Sequence, residues 1–295
     1  MIDRKKRARL ALDGLSIGDA FGQQFFHPGV VEMATDENLP TPPWNYTDDT
    51  EMAVCVLQEL ERCGEIQQDC LATRFAERHA SDPNRGYGAG ARSLLYEIAA
   101  GGDWRIASRE LFGGSGSYGN GAAMRVAPLG AWFSDDIDKL IEQSELSATV
   151  THAHPEGVAG AIAVALAAAW AWRRNFTETP ASPTELIPWV VSHLGPSEVR
   201  RGLEWASTYE LDTWAFTVAS QVGSGIQISA QDTVPFCLWL AAANLDDYKE
   251  AMWTAARVGG DIDTNCAIVG GIVALNVGTD GIPETWRLCR EPLSM

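Results

Sequence analysis

The chain has 295 residues, of which 46% are apolar and 21% charged, a composition that excludes a disordered or fibrous protein. Its net charge is −17, with +4 on the first nine residues and −21 on the rest, and such a field argues against nucleic-acid binding as the main function. The six cysteines include no C-x-x-C pair, and the basic start is not followed by an apolar run, so we expect reduced thiols in a soluble, cytoplasmic protein.

Apolar residues at three- and four-residue spacing predict helices along most of the chain. In chain order these are Ala53–Arg62, Leu71–His79, Ala91–Ala99, Ala122–Phe133, Ile137–Ala148, Val158–Arg174, Thr184–His193 and Tyr248–Arg257. The uncharged run from Gly157 to Trp172 is shorter than the roughly 20 residues that a membrane span needs, which favours a buried core helix. Only Gly225–Ser229 alternates as a strand would. The sequence predicts an all-α fold, with residues 1–295 in one compact multi-helix domain.

Two oxygen-rich clusters, Thr47-Asp48-Asp49-Thr50 and Asp261-Ile262-Asp263-Thr264, each precede an apolar helical pattern. Helix capping is one interpretation, because Thr and Asp are favoured at N-caps. A cap needs one side-chain oxygen, however, and crowded carboxylates repel one another unless a proton or a cation neutralises them. Mg²⁺ and Mn²⁺ prefer oxygen ligands of this kind, so the clusters could together hold two ions.

Two further segments are candidates for ligand binding. The glycine-rich run from Gly113 to Gly121 contains a formal G-x-G-x-x-G, but no hydrophobic strand precedes it, which argues against a dinucleotide-binding fold. Its backbone N–H groups could approach an anion, or it could be a plain flexible loop. His152 and His154 lie at a helix entrance, where they could be structural groups or transition-metal ligands.

Six motifs occur in a specific order. They are Gly14-Leu15-Ser16-Ile17-Gly18-Asp19-Ala20-Phe21-Gly22, Tyr46-Thr47-Asp48-Asp49-Thr50, Arg85-Gly86-Tyr87-Gly88-Ala89-Gly90, Ser117-Tyr118-Gly119-Asn120-Gly121-Ala122-Ala123-Met124-Arg125, Thr151-His152 and Gly259-Gly260-Asp261-Ile262-Asp263-Thr264. From about residue 8 to 275 the chain therefore resembles the ADP-ribosylglycohydrolase family, which includes ADP-ribosylhydrolases and the dinitrogenase-reductase-activating enzyme.

The resemblance implies an all-α hydrolase that cleaves the N- or O-glycosidic bond of ADP-ribosylated substrates and releases ADP-ribose. It implies two divalent cations, Mg²⁺ or Mn²⁺, at the bottom of an ADP-ribose cleft. The implied metal ligands are Thr47, Asp48, Asp49, Asp261, Asp263 and Thr264. The implied substrate-binding residues are Gly116, Ser117, Tyr118, Gly119, Asn120 and His152. An ADP-ribosylated protein or small molecule is the expected partner, with nucleic acid only as a modified substrate and no membrane.

One departure from the family concerns catalysis. Many members carry a glutamate a few residues after the Gly-Asp-x-x-Gly motif, whereas here Gln23-Gln24-Phe25-Phe26 follows and the nearest acids are Glu32, Asp36 and Glu37. We therefore expect Asp48 and Asp49 to activate the attacking water, with Phe25-Phe26 shaping a leaving-group pocket.

Three alternatives are weighed against this hypothesis. The chain could bind ADP-ribose with weak or no turnover, or hydrolyse another nucleotide-like glycoside or a phosphate ester. An isoprenoid synthase is excluded because residues 48–51 lack the D-D-x-x-D pattern that those enzymes use.

Overall fold

The computed structural model describes residues 3–26, 38–177 and 179–295. Within these ranges the chain forms fifteen α-helices and four short 3₁₀ turns, which confirms the all-α prediction. The helices are α1 (Arg4–Gln23), α2 (Asp48–Cys63), α3 (Gln68–Ser81), α4 (Ala89–Ala99), α5 (Trp104–Gly114), α6 (Ala127–Trp132), α7 (Ile137–Thr149), α8 (Pro155–Arg174), α9 (Leu186–Ser192), α10 (Glu198–Ala206), α11 (Ala215–Val222), α12 (Ala230–Ala243), α13 (Tyr248–Val258), α14 (Ile262–Val277) and α15 (Glu284–Cys289). The 3₁₀ turns are Gln24–Phe26, Asn120–Ala122, Pro183–Glu185 and Thr279–Gly281.

The centre of the fold is the pair α1 and α14, which contact each other more extensively than any other two elements described. Glycines four residues apart on α1 allow this close approach. A Cβ on Gly18 would lie 2.2 Å from the carbonyl oxygen of Cys266, and one on Gly22 would lie 2.7 Å from Cα of Asp263. The last turns of α1 are therefore held against the first turn of α14, next to the second acidic cluster.

Helix α8 closes the other side of the core and packs against α6, α7, α12 and α14. It is the one described helix long and apolar enough to cross a membrane by length and composition, but 67% of its apolar window is buried inside the fold. All six cysteines are unpaired, and Cys55, Cys237 and Cys266 are buried. The single domain and the cytoplasmic location stay predictions.

The predicted strand Gly225–Ser229 is wrong. Gly225 and Ile228 have φ angles of 86° and 52°, in the left-handed region, so the segment turns back on itself. It ends in an isolated β-bridge between Ser229 and Gly119. A ladder needs consecutive extended residues, which this segment lacks.

The predicted continuous helix Ala122–Phe133 is also interrupted. Asn120–Ala122 forms a 3₁₀ turn, and the α-helix begins only at Ala127. Pro128 explains the break, because proline lacks an N–H group and is tolerated only in the first turn of a helix. The glycine-rich loop consequently feeds a turn rather than a helix N-terminus.

Candidate active site

The two acidic clusters meet where α2 and α14 begin. Asp48 and Asp49 occupy the first turn of α2, while Asp261 is the N-cap residue of α14 and Asp263 lies in its first turn. One carboxylate oxygen from each of Asp19, Asp49 and Asp263 lies within 4.8 Å of the others. Both helix N-termini direct partial positive charge toward this cluster, which offsets only part of its negative charge.

Burial and mutual repulsion favour the protonated form of these carboxyl groups. Burial, reinforced by the charge on Asp19, raises the pKa of Asp48 to about 8. The same two causes raise the pKa of Asp49 well above its usual value, and burial with the charge on Asp261 does so for Asp263. Near neutral pH the carboxylates of the cluster therefore need bound protons or a cation to offset their mutual repulsion.

Helix capping accounts for only part of the cluster. The Thr47 hydroxyl accepts from the backbone N–H of Asp49 and so caps α2, whereas the Asp261 side chain makes no cap hydrogen bond. Asp49 Oδ1 is buried and has no hydrogen-bond partner. An orphaned oxygen on a carboxylate that is grouped with two others fits a hard divalent cation, since such ions bind through oxygen ligands of this type.

Asp19 belongs to the cluster, although the sequence indicated it only as part of a glycine motif. It is fully buried on α1, and its carboxylate accepts hydrogen bonds from the backbone N–H groups and hydroxyls of Thr47 and Thr50. Three of these bonds end on Oδ2 and one on Oδ1, so Asp19 ties together the two threonines that flank Asp48 and Asp49. Asp19 is therefore a positioning residue, which holds the first turn of α2 in place. An acidic residue on the apolar, buried face of α1 is the sequence feature that could have identified Asp19 as part of the site.

The cluster forms the floor of a cavity of about 400 Å³. Ten of the predicted site residues line it, namely Asp48, Asp49, Ser117, Tyr118, Gly119, Asn120, His152, Asp261, Asp263 and Thr264. Thr47 and Gly116 lie behind the wall: the Thr47 hydroxyl is 2.8 Å from Asp19 Oδ1, and Gly116 packs against the backbone of His154. Phe112 and Ile228, which sequence reasoning missed, line the cavity and are 63% and 61% exposed.

The glycine-rich loop is tied directly to the acidic floor. Asn120 Nδ2 donates to Asp261 Oδ2 at 2.6 Å and to Thr233 Oγ1 at 3.1 Å. His154 does not join His152 as a ligand pair, because its Nδ1 accepts the backbone N–H of Glu156 and caps α8. The loop is thus a fixed wall of the cavity, rather than a plain flexible segment.

The segment after Gly22 does not shape the cavity as expected. Phe25 is 2% exposed and packs in the core, with its ring centroid 4.9 Å from that of Phe21. Gln24 is buried and donates to the carbonyl of Ala20, and Phe26 is exposed without lining the cavity. The expected leaving-group role of Phe25-Phe26 is therefore wrong for the cavity described. Glu32, Asp36 and Glu37 lie outside the described residues.

A network anchored near the carboxyl end of the chain holds the backbone that carries Asp48. The Asp48 N–H donates to the Arg85 carbonyl at 2.7 Å, and the Arg85 guanidinium donates to the Tyr46 carbonyl at 3.0 Å. Glu291 accepts from the Tyr46 N–H at 2.9 Å and forms an ion pair with Arg85. Glu291 thereby joins both sides of the loop that leads into α2.

Replacing this carboxylate should loosen the loop. We expect Glu291→Gln to lower the free energy of unfolding by about 1–3 kcal/mol, because it removes charge-assisted hydrogen bonds to Arg85. Urea unfolding measures the change, with Glu77→Gln, an exposed glutamate on α3, as the matched control. Equal unfolding free energies for the two variants would contradict the assigned role.

The molecule thus combines an all-α fold with an acidic cavity floor and a glycine-rich cavity wall, as expected of a helical hydrolase whose carboxylates act together. A model of the ADP-ribosylglycohydrolase family matches residues 1–292, and the chain belongs to this family.

Two relatives and a solved structure support the assignment. The chain is 28% identical to ADP-ribosylhydrolase ARH3 of Homo sapiens, over 95% of this chain and 88% of that protein. It is 26% identical to ADP-ribosylarginine hydrolase Tri1 of Serratia proteamaculans, over 95% of this chain and 74% of that protein. A solved structure described as an ADP-ribosylglycohydrolase-related protein complex superposes with a TM-score of 0.68 at 26% identity, covering 99% of this chain and 94% of that one.

Proposed function

We propose that the protein is a divalent-metal-dependent hydrolase that cleaves the glycosidic bond of an ADP-ribosylated substrate and releases ADP-ribose. The observation that carries this proposal is the buried, unpartnered Oδ1 of Asp49 among the carboxylates of the cavity floor. A buried carboxylate oxygen without a partner is costly unless the working protein provides one. Family membership makes an ADP-ribosyl group the proposed substrate.

Five cavity residues would hold two ions, Mg²⁺ or Mn²⁺, namely Asp48, Asp49, Asp261, Asp263 and Thr264. Thr47, the sixth predicted ligand, lies behind the wall, where its hydroxyl is engaged by Asp19 and Asp49. Bound ions of this kind supply Lewis acidity, which lowers the pKa of water and stabilises developing negative charge. Asn120 supports this arrangement, because its amide holds the Asp261 carboxylate in a fixed orientation.

The cavity wall suits the remainder of an ADP-ribosyl group. The rings of Phe112 and Tyr118 have centroids 6.4 Å apart at an angle of 29° and are both exposed at the cavity, where they offer flat apolar surface to adenine. The loop from Ser117 to Asn120 carries one of these rings and contacts the acidic floor through Asn120, and it would contact the diphosphate. The terminal ribose would then reach the carboxylates.

In this arrangement Asp48 or Asp49 accepts a proton from the attacking water. The water oxygen forms a bond to C1″ while the bond from C1″ to the acceptor nitrogen or oxygen breaks, and the proton that the aspartate accepted passes to the leaving group. The Gln23–Phe26 segment contains no acidic residue that could take part in this transfer. The two aspartates are therefore the proposed catalytic residues.

An activity screen tests the function. Purified protein is incubated with ADP-ribosyl-arginine, ADP-ribosyl-serine and ADP-ribosylated DNA, with Mg²⁺ and with a chelator, and free ADP-ribose is measured. Release of ADP-ribose from at least one substrate in Mg²⁺, but not in the chelator, supports the proposal. If ADP-ribose binds but no substrate is cleaved, the second candidate is favoured, a family member that binds ADP-ribose with little turnover, which the missing glutamate motivates.

The aromatic rim should contribute to ligand affinity. We expect Phe112→Ala to weaken ADP-ribose binding by about 5- to 150-fold, because stacking of a base on an aromatic ring contributes about 1–3 kcal/mol. Isothermal titration in Mg²⁺ measures the change. Tyr96→Ala is the control, since Tyr96 is 75% exposed on α4 and does not line the cavity. An unchanged affinity of Phe112→Ala would place the base elsewhere.

A further inference from the structure

Three side chains form a hydrogen-bonded chain behind the cavity wall. Arg125 is completely buried, and its Nη2 donates to Thr151 Oγ1 at 2.9 Å and to the Ser147 carbonyl at 2.9 Å. Thr151 Oγ1 in turn lies 2.7 Å from His152 Nδ1. The chain therefore runs from a buried guanidinium through a hydroxyl to the imidazole that lines the cavity.

The donors and acceptors in this chain can be assigned from the chemistry of its members. A guanidinium carries only donors, so the Thr151 oxygen accepts from Arg125. The contacts of Thr151 Oγ1 in the described structure are Arg125 and His152 alone, and only the imidazole can accept the hydroxyl proton. Thr151 consequently donates to Nδ1 of His152. A neutral imidazole that accepts at Nδ1 carries its proton on Nε2.

The Nε2 edge of His152 faces the glycine-rich loop. A Cβ on Gly121 would lie 3.0 Å from Nε2, and one on Gly119 would lie 3.3 Å from it. The described residues provide Nε2 with no hydrogen-bond partner, and His152 lines the cavity. Burial, and the positive charge of Arg125, lower the pKa of His152 to about 3, in keeping with a neutral ring.

We propose that Arg125 and Thr151 are positioning residues that hold His152 as the Nε2–H tautomer, so that it donates a hydrogen bond to an oxygen of the bound ligand. The identity of that ligand as an ADP-ribosyl group rests on the proposed function. The acceptor is a phosphoryl oxygen or a ribose hydroxyl. Because Nε2 already carries its proton and Nδ1 is engaged by Thr151, His152 does not replace the missing glutamate as a base.

The tautomer can be observed in the ligand-free protein, independently of any activity. Imidazole ¹⁵N shifts of histidine-labelled protein distinguish a protonated Nε2 from a protonated Nδ1, and the spectrum of His152→Asn assigns the signals among the five histidines. We expect wild-type His152 to be protonated at Nε2 alone at neutral pH. In Thr151→Val, which keeps the shape and removes the hydroxyl, the Nδ1–H tautomer should appear.

Binding provides the second measurement. We expect Thr151→Val to weaken ADP-ribose binding by about tenfold, the loss of a well-oriented hydrogen bond, and Thr151→Ser to restore both tautomer and affinity. Loss of affinity for ADP as well as ADP-ribose assigns the acceptor to the diphosphate or the adenosine ribose. Loss for ADP-ribose alone assigns it to the terminal ribose.

Distinct results would overturn the two proposals. Wild-type His152 protonated at Nδ1, or at both nitrogens, overturns the tautomer assignment, and this spectrum decides even if Thr151→Val fails to fold. A tautomer and an affinity that are unchanged in folded Thr151→Val overturn the role of Thr151. Wild-type protein with the expected tautomer but no affinity for ADP-ribose contradicts the proposed function instead.

Discussion

Adding Mg²⁺ or Mn²⁺ to metal-stripped protein is expected to raise its melting temperature by several degrees. The reason is that Asp48, Asp49, Asp261 and Asp263 are crowded and largely buried, so the folded state gains from any ion that offsets their repulsion. At an ion concentration one hundred times the dissociation constant, the gain is about 2.7 kcal/mol. Differential scanning calorimetry with and without the ion measures it.

A matched pair of variants separates a specific site from general screening by salt. Asp261→Asn should remove most of the gain, because it deletes a carboxylate of the cavity floor. Asp212→Asn removes the same charge from an exposed position and should keep the full gain. Equal melting temperatures with and without ion in wild-type protein, or equal gains in both variants, would contradict the metal site.

The size of this gain should depend on pH. The pKa of Asp48 is raised to about 8, so the stability that this group contributes to the ion-free fold is present at low pH and is lost as the pH rises through about 8. An ion that binds at pH 6 must displace the proton on Asp48. This proton is increasingly lost as the pH rises past 8, so the ion then binds without that cost. The gain in melting temperature is therefore expected to be larger at pH 8 than at pH 6.

Replacing the proposed bases should have the largest effect on turnover. We expect Asp48→Asn and Asp49→Asn to lower kcat by about 10²–10⁴-fold, the usual contribution of a general acid or base. The measurement is ADP-ribose release at saturating Mn²⁺, with calorimetry reporting whether each variant still binds the ion. A variant that binds ion and ADP-ribose but fails to turn over has lost its chemical step.

Two further variants test whether another residue performs this step. If Glu32→Gln abolishes turnover while ion and ADP-ribose still bind, the missing glutamate has been replaced locally and the assignment to Asp48 and Asp49 is wrong. If wild-type protein hydrolyses none of the ADP-ribosyl linkages tested but Gln23→Glu hydrolyses one, the wild-type protein is a family member that binds ADP-ribose without turnover. We expect neither result.

The sequence by itself determined the fold class and most of the site. Helical periodicity predicted an all-α protein because apolar spacing reports directly which face of a helix is buried. The two Asp-rich clusters could be identified because carboxylates at that density have few structural explanations, and the glycine-rich loop by its five glycines in nine residues. The full set of twelve site residues came from the family resemblance. Ten of the twelve predicted site residues line one cavity.

Only the tertiary structure decided how these segments work together. Asp19 joined the site because α1 and α14 pack closely enough to bring its carboxylate to the start of α2, a contact between residues far apart in the sequence. Gly225–Ser229 failed as a strand because alternation describes side chains, while the left-handed φ angles there depend on surrounding contacts. Phe25 entered the core for a similar reason, since the ring of Trp253, from a distant segment, packs against it beside that of Phe21. The protonation of His152 depends on Arg125, which is 27 positions away in the chain but linked to it through one hydroxyl. Local patterns reveal burial and chemistry, whereas hydrogen-bond partners between distant segments exist only once the chain has folded.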